Sequence, residues 1–288
     1  MTTVWAGLAI GALFSLVAIG YNVVLLASGV FNFAYAQLVM LGTYMAYVGL
    51  VTLHAPLLVG ILFAGACVAT IAVLEERLAI RPLTGRDDLQ GTLITSIGVA
   101  IFLDGLVLKI WGSQPKTVPD PVSTKALHIF GGTVEPSDLI LIILVIVIAL
   151  GLHLWSRYTP AGLASLAAAE DRDAAMARGV NVRRLTIAAF FVAGLVAGLL
   201  GVFVAARTYA VPSLGDNEAL TGFVAIAIGG SGSQIGGLIG GFAVGLVNAF
   251  AARYFNANWP DIVVFGVLIV VLLALPRGIF GGAAERRG

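Results

Sequence analysis

Charge is what this sequence lacks most. No Asp, Glu, Lys or Arg occurs before Glu75, and charged residues fill only 11% of the 288 positions. A soluble domain carries about 25%. A water-facing surface cannot be built from half that supply, so most of the exterior must face lipid. The uncharged stretch before Glu75 leaves room for three consecutive membrane spans at ~20 residues each. Cysteine is nearly missing too: Cys67 stands alone in an apolar run, which excludes an internal disulfide. The three histidines (His54, His128 and His153) are far apart and make no metal site with sensible spacing. There is no Gly-x-x-x-x-Gly-Lys-Ser/Thr loop, no Gly-x-Ser-x-Gly elbow and no His-Glu-x-x-His helix. No enzyme chemistry, metal or cofactor is therefore expected in this chain, and the energy for any transport must come from a gradient or a partner. A net charge of +1 offers no field to recruit nucleic acid.

What is present is apolar length. Hydrophobic residues make up 59% of the chain and the mean hydropathy is +1.02. Apolar stretches run at about 4–27, 31–53, 56–74, 91–111, 137–156, 186–208, 218–230, 236–255 and 261–275. The expected architecture is an all-α polytopic transmembrane bundle of about 8–9 segments in one domain spanning residues 1–288. The stretch at 218–230 is too short for a ~30 Å core, so a short or broken element is expected there. The glycine-rich flank 229–237 should leave the helix, and such backbone needs burial in protein or a wet cavity. Met1-Thr-Thr-Val-Trp5 has no basic lead, so the first segment is expected to be a retained helix.

Basic residues set the orientation. Arg77, Arg81 and Arg86, then Arg157, Arg172, Arg178, Arg183 and Arg184, then Arg277, Arg286 and Arg287 mark three cytoplasmic regions. The proline-rich 112–136 is expected as an external loop with a small hairpin, and further external turns near 54–56, 209–217 and 256–260. That parity puts the N-terminus outside and leaves Arg207 and Arg253 at external ends, where they can snorkel.

Polar residues inside the apolar stretches are candidates for a translocation path: Asn32, Tyr35, Gln37, Ser96, Asp104 and Asn248. Uncharged polar groups can pass a zwitterionic or amide solute without holding it, and they can equally be interhelical hydrogen-bonding glue. Asp104 is the clearest buried-charge candidate, with Lys109 or a hydroxyl as an ordinary partner. Glu75 and Glu76 beside Arg77 read as interfacial. The Gly-x-x-x-Gly repeats at 194–198, 236–240, 237–241 and 241–245 allow close helix approach.

The segment 157–185 is more than a connector. Pro160 opens an alanine-rich helix, Glu170, Asp171 and Asp173 sit mid-loop, and Gly179 stands where a helix C-cap belongs. This composition suits a helix presented to a cytosolic partner, with a plain amphipathic surface helix as the alternative.

Asp173-Ala-Ala-Met-Ala-Arg-Gly179 resembles the Glu-Ala-Ala-x-x-x-Gly core of the coupling loop of ABC importer permeases, with Asp in place of Glu. The later Ile-x-Leu-Pro of the broader pattern is missing. The stretches 7–20 with 29–37 and 40–44, then 76–83, 93–98, 227–241 and 276–281 are similar, in that order, to permeases of the branched-chain amino acid class, the shorter of the two subunits. The resemblance implies a partner permease, two cytosolic ATPases that hold ATP and Mg, and an extracytoplasmic binding protein, in a bacterial cytoplasmic (inner) membrane. It also implies ATPase-coupling roles for Glu170, Asp171, Asp173, Ala174, Ala175 and Gly179. A gradient-driven carrier or channel, and a membrane scaffold, are the competing readings.

Overall fold

The computed structural model describes residues 1–83, 89–122, 125–255, 259–275 and 278–280. Arg86, Asn256, Arg277, Arg286 and Arg287 lie outside them, as do Pro276 and Gly281 of the closing motif. Among the described residues the chain folds into α1 (Thr2–Ser28), α2 (Tyr35–Tyr47), α3 (Leu57–Glu75), α4 (Leu89–Trp111), the strands β1 (Leu127–Ile129) and β2 (Gly132–Val134), then α5 (Pro136–Tyr158), α6 (Pro160–Glu170), α7 (Arg172–Ala177), α8 (Val182–Thr208), α9 (Leu214–Gly229), α10 (Gln234–Tyr254) and α11 (Pro260–Ala274). α2 runs on as a π-helix through Val48–Thr52, and α3 through Glu76–Ile80. Among the described residues seven helices are long and apolar enough to cross a membrane, and α11 is a shorter apolar helix. The all-α, multi-pass reading holds. Among the described residues the only sheet is the antiparallel β1–β2 pair, the hairpin expected in 112–136.

Two boundaries differ from the sequence reading. The short seventh element is an unbroken 16-residue helix that begins at Leu214 and takes Asp216 into its first turn. A carboxylate there meets the positive end of the helix dipole, which favours starting the helix earlier than hydropathy suggests. The glycine-rich flank is also more regular than expected. Only 230–233 lie outside helices, and α10 resumes at Gln234 with the Ser233 hydroxyl accepting from the Gly236 N–H at 3.0 Å.

Packing groups the chain into two compact units. One comprises Met1–Asn22, Lys125–Trp155 and Leu220–Gly288; the other comprises Val23–Thr124 and Ser156–Ala219. In the first, the buried Asn22 closes the turn between α9 and α10: its Oδ1 accepts from the Gly232 N–H at 2.7 Å and its Nδ2 donates to the Ser233 carbonyl at 2.9 Å. The last described residues add to the same end, with the Ile279 and Phe280 N–H groups donating to the carbonyls of Ile228 and Gly229 at 2.8 and 3.0 Å. The irregular backbone is thus satisfied from within the protein. Trp5 Nε1 donates to the Ile129 carbonyl at 3.2 Å, fastening the hairpin to α1.

In the second unit α2, α3 and α8 pack as a tight layer. Gly198 lies against the Ala64 carbonyl and Gly201 against the backbone of Gly42, so no side chain fits at either position. The spacing of small residues at 194–198 therefore serves close helix contact, as the sequence suggested. Ala46, Val118, Val202 and Ala205 complete a core at one end of this layer.

Candidate functional site

Two features of the second unit carry chemistry. The first is the loop between α5 and α8. Thr159 caps α6 by accepting from the Gly162 N–H at 3.0 Å, with Pro160 at the first helical position. Asp171 is extended, ends α6 and caps α7 by accepting from the Ala174 N–H at 2.9 Å. The segment from Pro160 to Gly179 is thus two capped helices that meet at Asp171. α7 closes as the sequence foretold: Gly179 has φ +86, its N–H donates to the Met176 carbonyl at 2.9 Å, and the Val180 N–H donates to the Ala175 carbonyl at 3.1 Å. That is a Schellman closure, whose left-handed residue is most easily glycine.

Glu170, Asp173, Ala174, Met176 and Gly179 are exposed, whereas Ala175 turns inward against Ala168 and Val182. Arg172 ties the loop to the end of α1, and Thr186 in the first turns of α8 ties that helix to the same end. Arg172 Nη1 donates to the Ser28 carbonyl at 3.1 Å, and Thr186 Oγ1 donates to the Ala27 carbonyl at 3.1 Å. A cation at the carbonyl end of α1 also complements its dipole.

The second feature is a run of buried polar groups along the start of α2. Asn32, Tyr35 and Gln37 are each 1% exposed or less, and Ser96 is wholly buried. The Ser96 hydroxyl accepts from the Phe33 N–H at 3.3 Å, and Asn32 Oδ1 accepts from the Ala34 N–H at 3.0 Å. These two bonds shape the turn that leads into α2. Beside Asn32 lies Glu75, which sequence reading had placed at the interface; both it and Glu76 are buried. The Asn32 amide faces the Glu75 carboxyl, and among the described residues neither Asn32 Nδ2 nor either Glu75 oxygen reaches full hydrogen-bond geometry. Glu76 instead sits among the charges of Arg81, Arg183 and Arg77.

Farther along α2, Gln37 Nε2 donates to Asp216 Oδ1 at 3.0 Å. Asp104 lies against both Asp216 and Gln37 rather than against Lys109. Asp104 is half-buried and Asp216 exposed, so this cluster opens to one side. A carboxylate facing hydrocarbon is expensive, so the open side is suited to water or a solute. The structure thus brings Gln37 and Asp104 together and adds Asp216, which sequence reading had left in an external turn. An acidic residue just ahead of an apolar run was the available signal, as a helix first turn. Asn248 belongs to the other unit, half-buried on α10.

Residues 3–272 match the family described as the permease component of the branched-chain amino acid transport system. The chain is 32% identical over 289 aligned positions to the high-affinity branched-chain amino acid transport system permease protein BraD of Pseudomonas aeruginosa, covering 96% of this chain and 94% of BraD. It is 31% identical to LivH, the permease protein of the same name from Escherichia coli, covering 96% and 93%. Among solved structures, PsaBC from Streptococcus pneumoniae in complex with Fab superposes with a TM-score of 0.52 at 12% identity, covering 97% of this chain and 94% of that one. At that identity the likeness speaks for the fold alone.

Proposed function

The chain belongs to the branched-chain amino acid transport permease family and is a multi-pass membrane protein; from this we propose that it is the shorter permease subunit of an ATP-driven importer for branched-chain amino acids or related small polar solutes. In this reading it sits in the bacterial cytoplasmic membrane beside a second permease. Two cytosolic ATPases, which hold the ATP and Mg, drive it, and an extracytoplasmic binding protein supplies the solute.

The observation that carries the ATPase coupling is the α6–α7 loop. Its caps make it a rigid two-helix unit, its acidic face (Glu170, Asp171, Asp173) and Met176 are exposed, and Arg172 fastens it to the end of α1. A rigid element tied directly to a transmembrane helix can convert a push from below into helix movement. The exposed carboxylates and small residues suit a basic groove on a partner, with Gly179 setting the direction in which the chain leaves. The polar groups of α2 and α4 (Asn32, Gln37, Ser96, Asp104) are assigned to the solute path, where they replace water around a zwitterion without trapping it.

The test is affinity purification of the chain in mild detergent, followed by reconstitution. Recovery of a second permease and two ATPases, with leucine uptake that requires ATP inside the vesicle, supports the reading. Recovery of the chain alone, with uptake driven by an ion gradient, replaces it with a secondary carrier.

A further inference from the structure

Where α2, α4 and the start of α9 meet, hydrogen-bond acceptors outnumber donors. Asp104 and Asp216 stand against each other with the Gln37 amide between them. The amide nitrogen of Gln37 is committed to Asp216, while its Oε1 is buried and without a hydrogen bond. Asp104 Oδ1 is likewise buried and without one. Gln37 cannot turn aside, because it is 1% exposed and the backbone of Gly215 presses on it: a Cβ at 215 would stand 2.8 Å from its amide carbon. Among the described residues the groups that act on Asp104 are Asp216 and Gln37, with no Lys, Arg or His beside it, and the partner of Asp216 is Gln37.

An ionised carboxylate is acceptor-only, and two of them side by side repel. A proton shared between the two carboxyls relieves the repulsion but leaves Gln37 Oε1 without a donor, whereas a compact cation with several N–H donors and no acceptor answers both. A primary ammonium has three donors, one for each carboxylate and one for the Gln37 carbonyl. The same acceptors could also take a free monovalent cation, but Asp216 is exposed, so a solute's ammonium can meet the cluster at that residue while the other two acceptors lie behind it.

Resting on the permease reading above, we infer that Asp104, Asp216 and the Gln37 carbonyl form a transient receiving site for the ammonium end of a zwitterionic solute. The site fits a passing solute rather than a resident ion because only part of it is enclosed. It would act as a selectivity point within the membrane subunit, refusing solutes that carry a carboxylate alone.

The test has two arms. In the first, the whole transporter in proteoliposomes takes up radiolabelled leucine in sodium medium and in choline medium, as wild type and with Asp104→Asn, Asp216→Asn, Asp104→Glu or Asp216→Glu. Each Asn variant should assemble with its partners and lose at least tenfold in maximal uptake in both media, while each Glu variant recovers a measurable share. Asn variants that transport within twofold of wild type overturn the site. A wild type that needs sodium, with that need lost in Asp104→Asn, also overturns it by showing a free cation as the occupant. The second arm does not depend on ATP coupling. The purified chain is heated with leucinamide, which carries an ammonium and no carboxylate, or with 4-methylpentanoate, which carries the reverse. A rise in the melting midpoint with leucinamide alone, absent in Asp104→Asn, supports the site even if the importer reading fails. Equal responses to both compounds, or no response to either, overturn it.

Discussion

Arg172 of α7 reaches the carbonyl of Ser28 at 3.1 Å, so the loop between α5 and α8 is fastened to the last turn of the first helix. A hydrogen bond from a charged donor contributes about 1.5–3 kcal/mol. Arg172→Ala removes both the bond and the cation at the end of α1. The expected result is a complex that still assembles but hydrolyses ATP with leucine uptake reduced roughly tenfold, which is what a loss of about 1.4 kcal/mol in coupling produces. Arg172→Lys should restore part of the uptake. Measuring ATP consumed per leucine imported checks this, and an unchanged ratio in Arg172→Ala would show that the contact transmits nothing.

Gly179 offers a second test of the same loop. At φ +86 a side chain is strained whatever the space around it, by about 1–2 kcal/mol. Gly179→Val should loosen the turn into α8 and lower recovery of the ATPases in a pull-down several-fold. Gly179→Asn, which tolerates the left-handed region better, should retain most of it. Equal recovery with both substitutions would assign the position to surface rather than to coupling.

How far the sequence reached can be judged from these residues. The spans, the Gly179 cap and the hairpin were legible because each rests on local rules: apolar length, a helix stop signal, proline density. The Asp104 cluster was only half legible. Gln37 and Asp216 are 179 positions apart, and nothing local announces that a helix first turn will fold back against α2. The burial of Glu75 was hidden for the same reason, since a carboxylate beside Arg77 reads as interfacial until α2 is laid over it. The break at Asp171 was not legible because the alanine run favours helix on both sides, and only the capping bond to the Ala174 N–H marks it.

Helix contact through glycine gives a matched pair of variants. Gly201 lies against the backbone of Gly42, whereas nothing stands within 4 Å of the place a side chain would occupy at Gly98. Overpacking a tight contact costs about 1–3 kcal/mol and more when backbone must move. Gly201→Val should sharply cut the amount of folded protein recovered from membranes, and Gly98→Ala should leave it unchanged or slightly raised. Size-exclusion profiles in detergent report both. Equal yields would place α2 and α8 farther apart than described.

Asn22 tests the turn between α9 and α10. Asn22→Ala orphans the Gly232 N–H and the Ser233 carbonyl, each of which costs about 1–3 kcal/mol when buried and unsatisfied. Asn22→Asp keeps the acceptor for Gly232 and loses the donor to Ser233, so its effect should be smaller unless the buried charge dominates. The expected order of melting midpoints is wild type, then the two variants, both several degrees lower. An Asn22→Ala protein that melts with the wild type would mean that water replaces the amide.

Orientation decides whether the coupling loop can meet an ATPase at all. His128 in the hairpin and Glu170 at the end of α6 are both exposed and fall on opposite sides if arginine marks the cytoplasm. With Cys67→Ser as background, His128→Cys should react with a membrane-impermeant maleimide in intact cells. Glu170→Cys should react only after permeabilisation. ATP is found on the cytoplasmic side, so labelling of Glu170→Cys in intact cells would put the loop beyond the reach of any ATPase. That single result would remove the coupling role from α6 and α7 and leave Asp104 and Asp216 to be explained by a gradient-driven carrier.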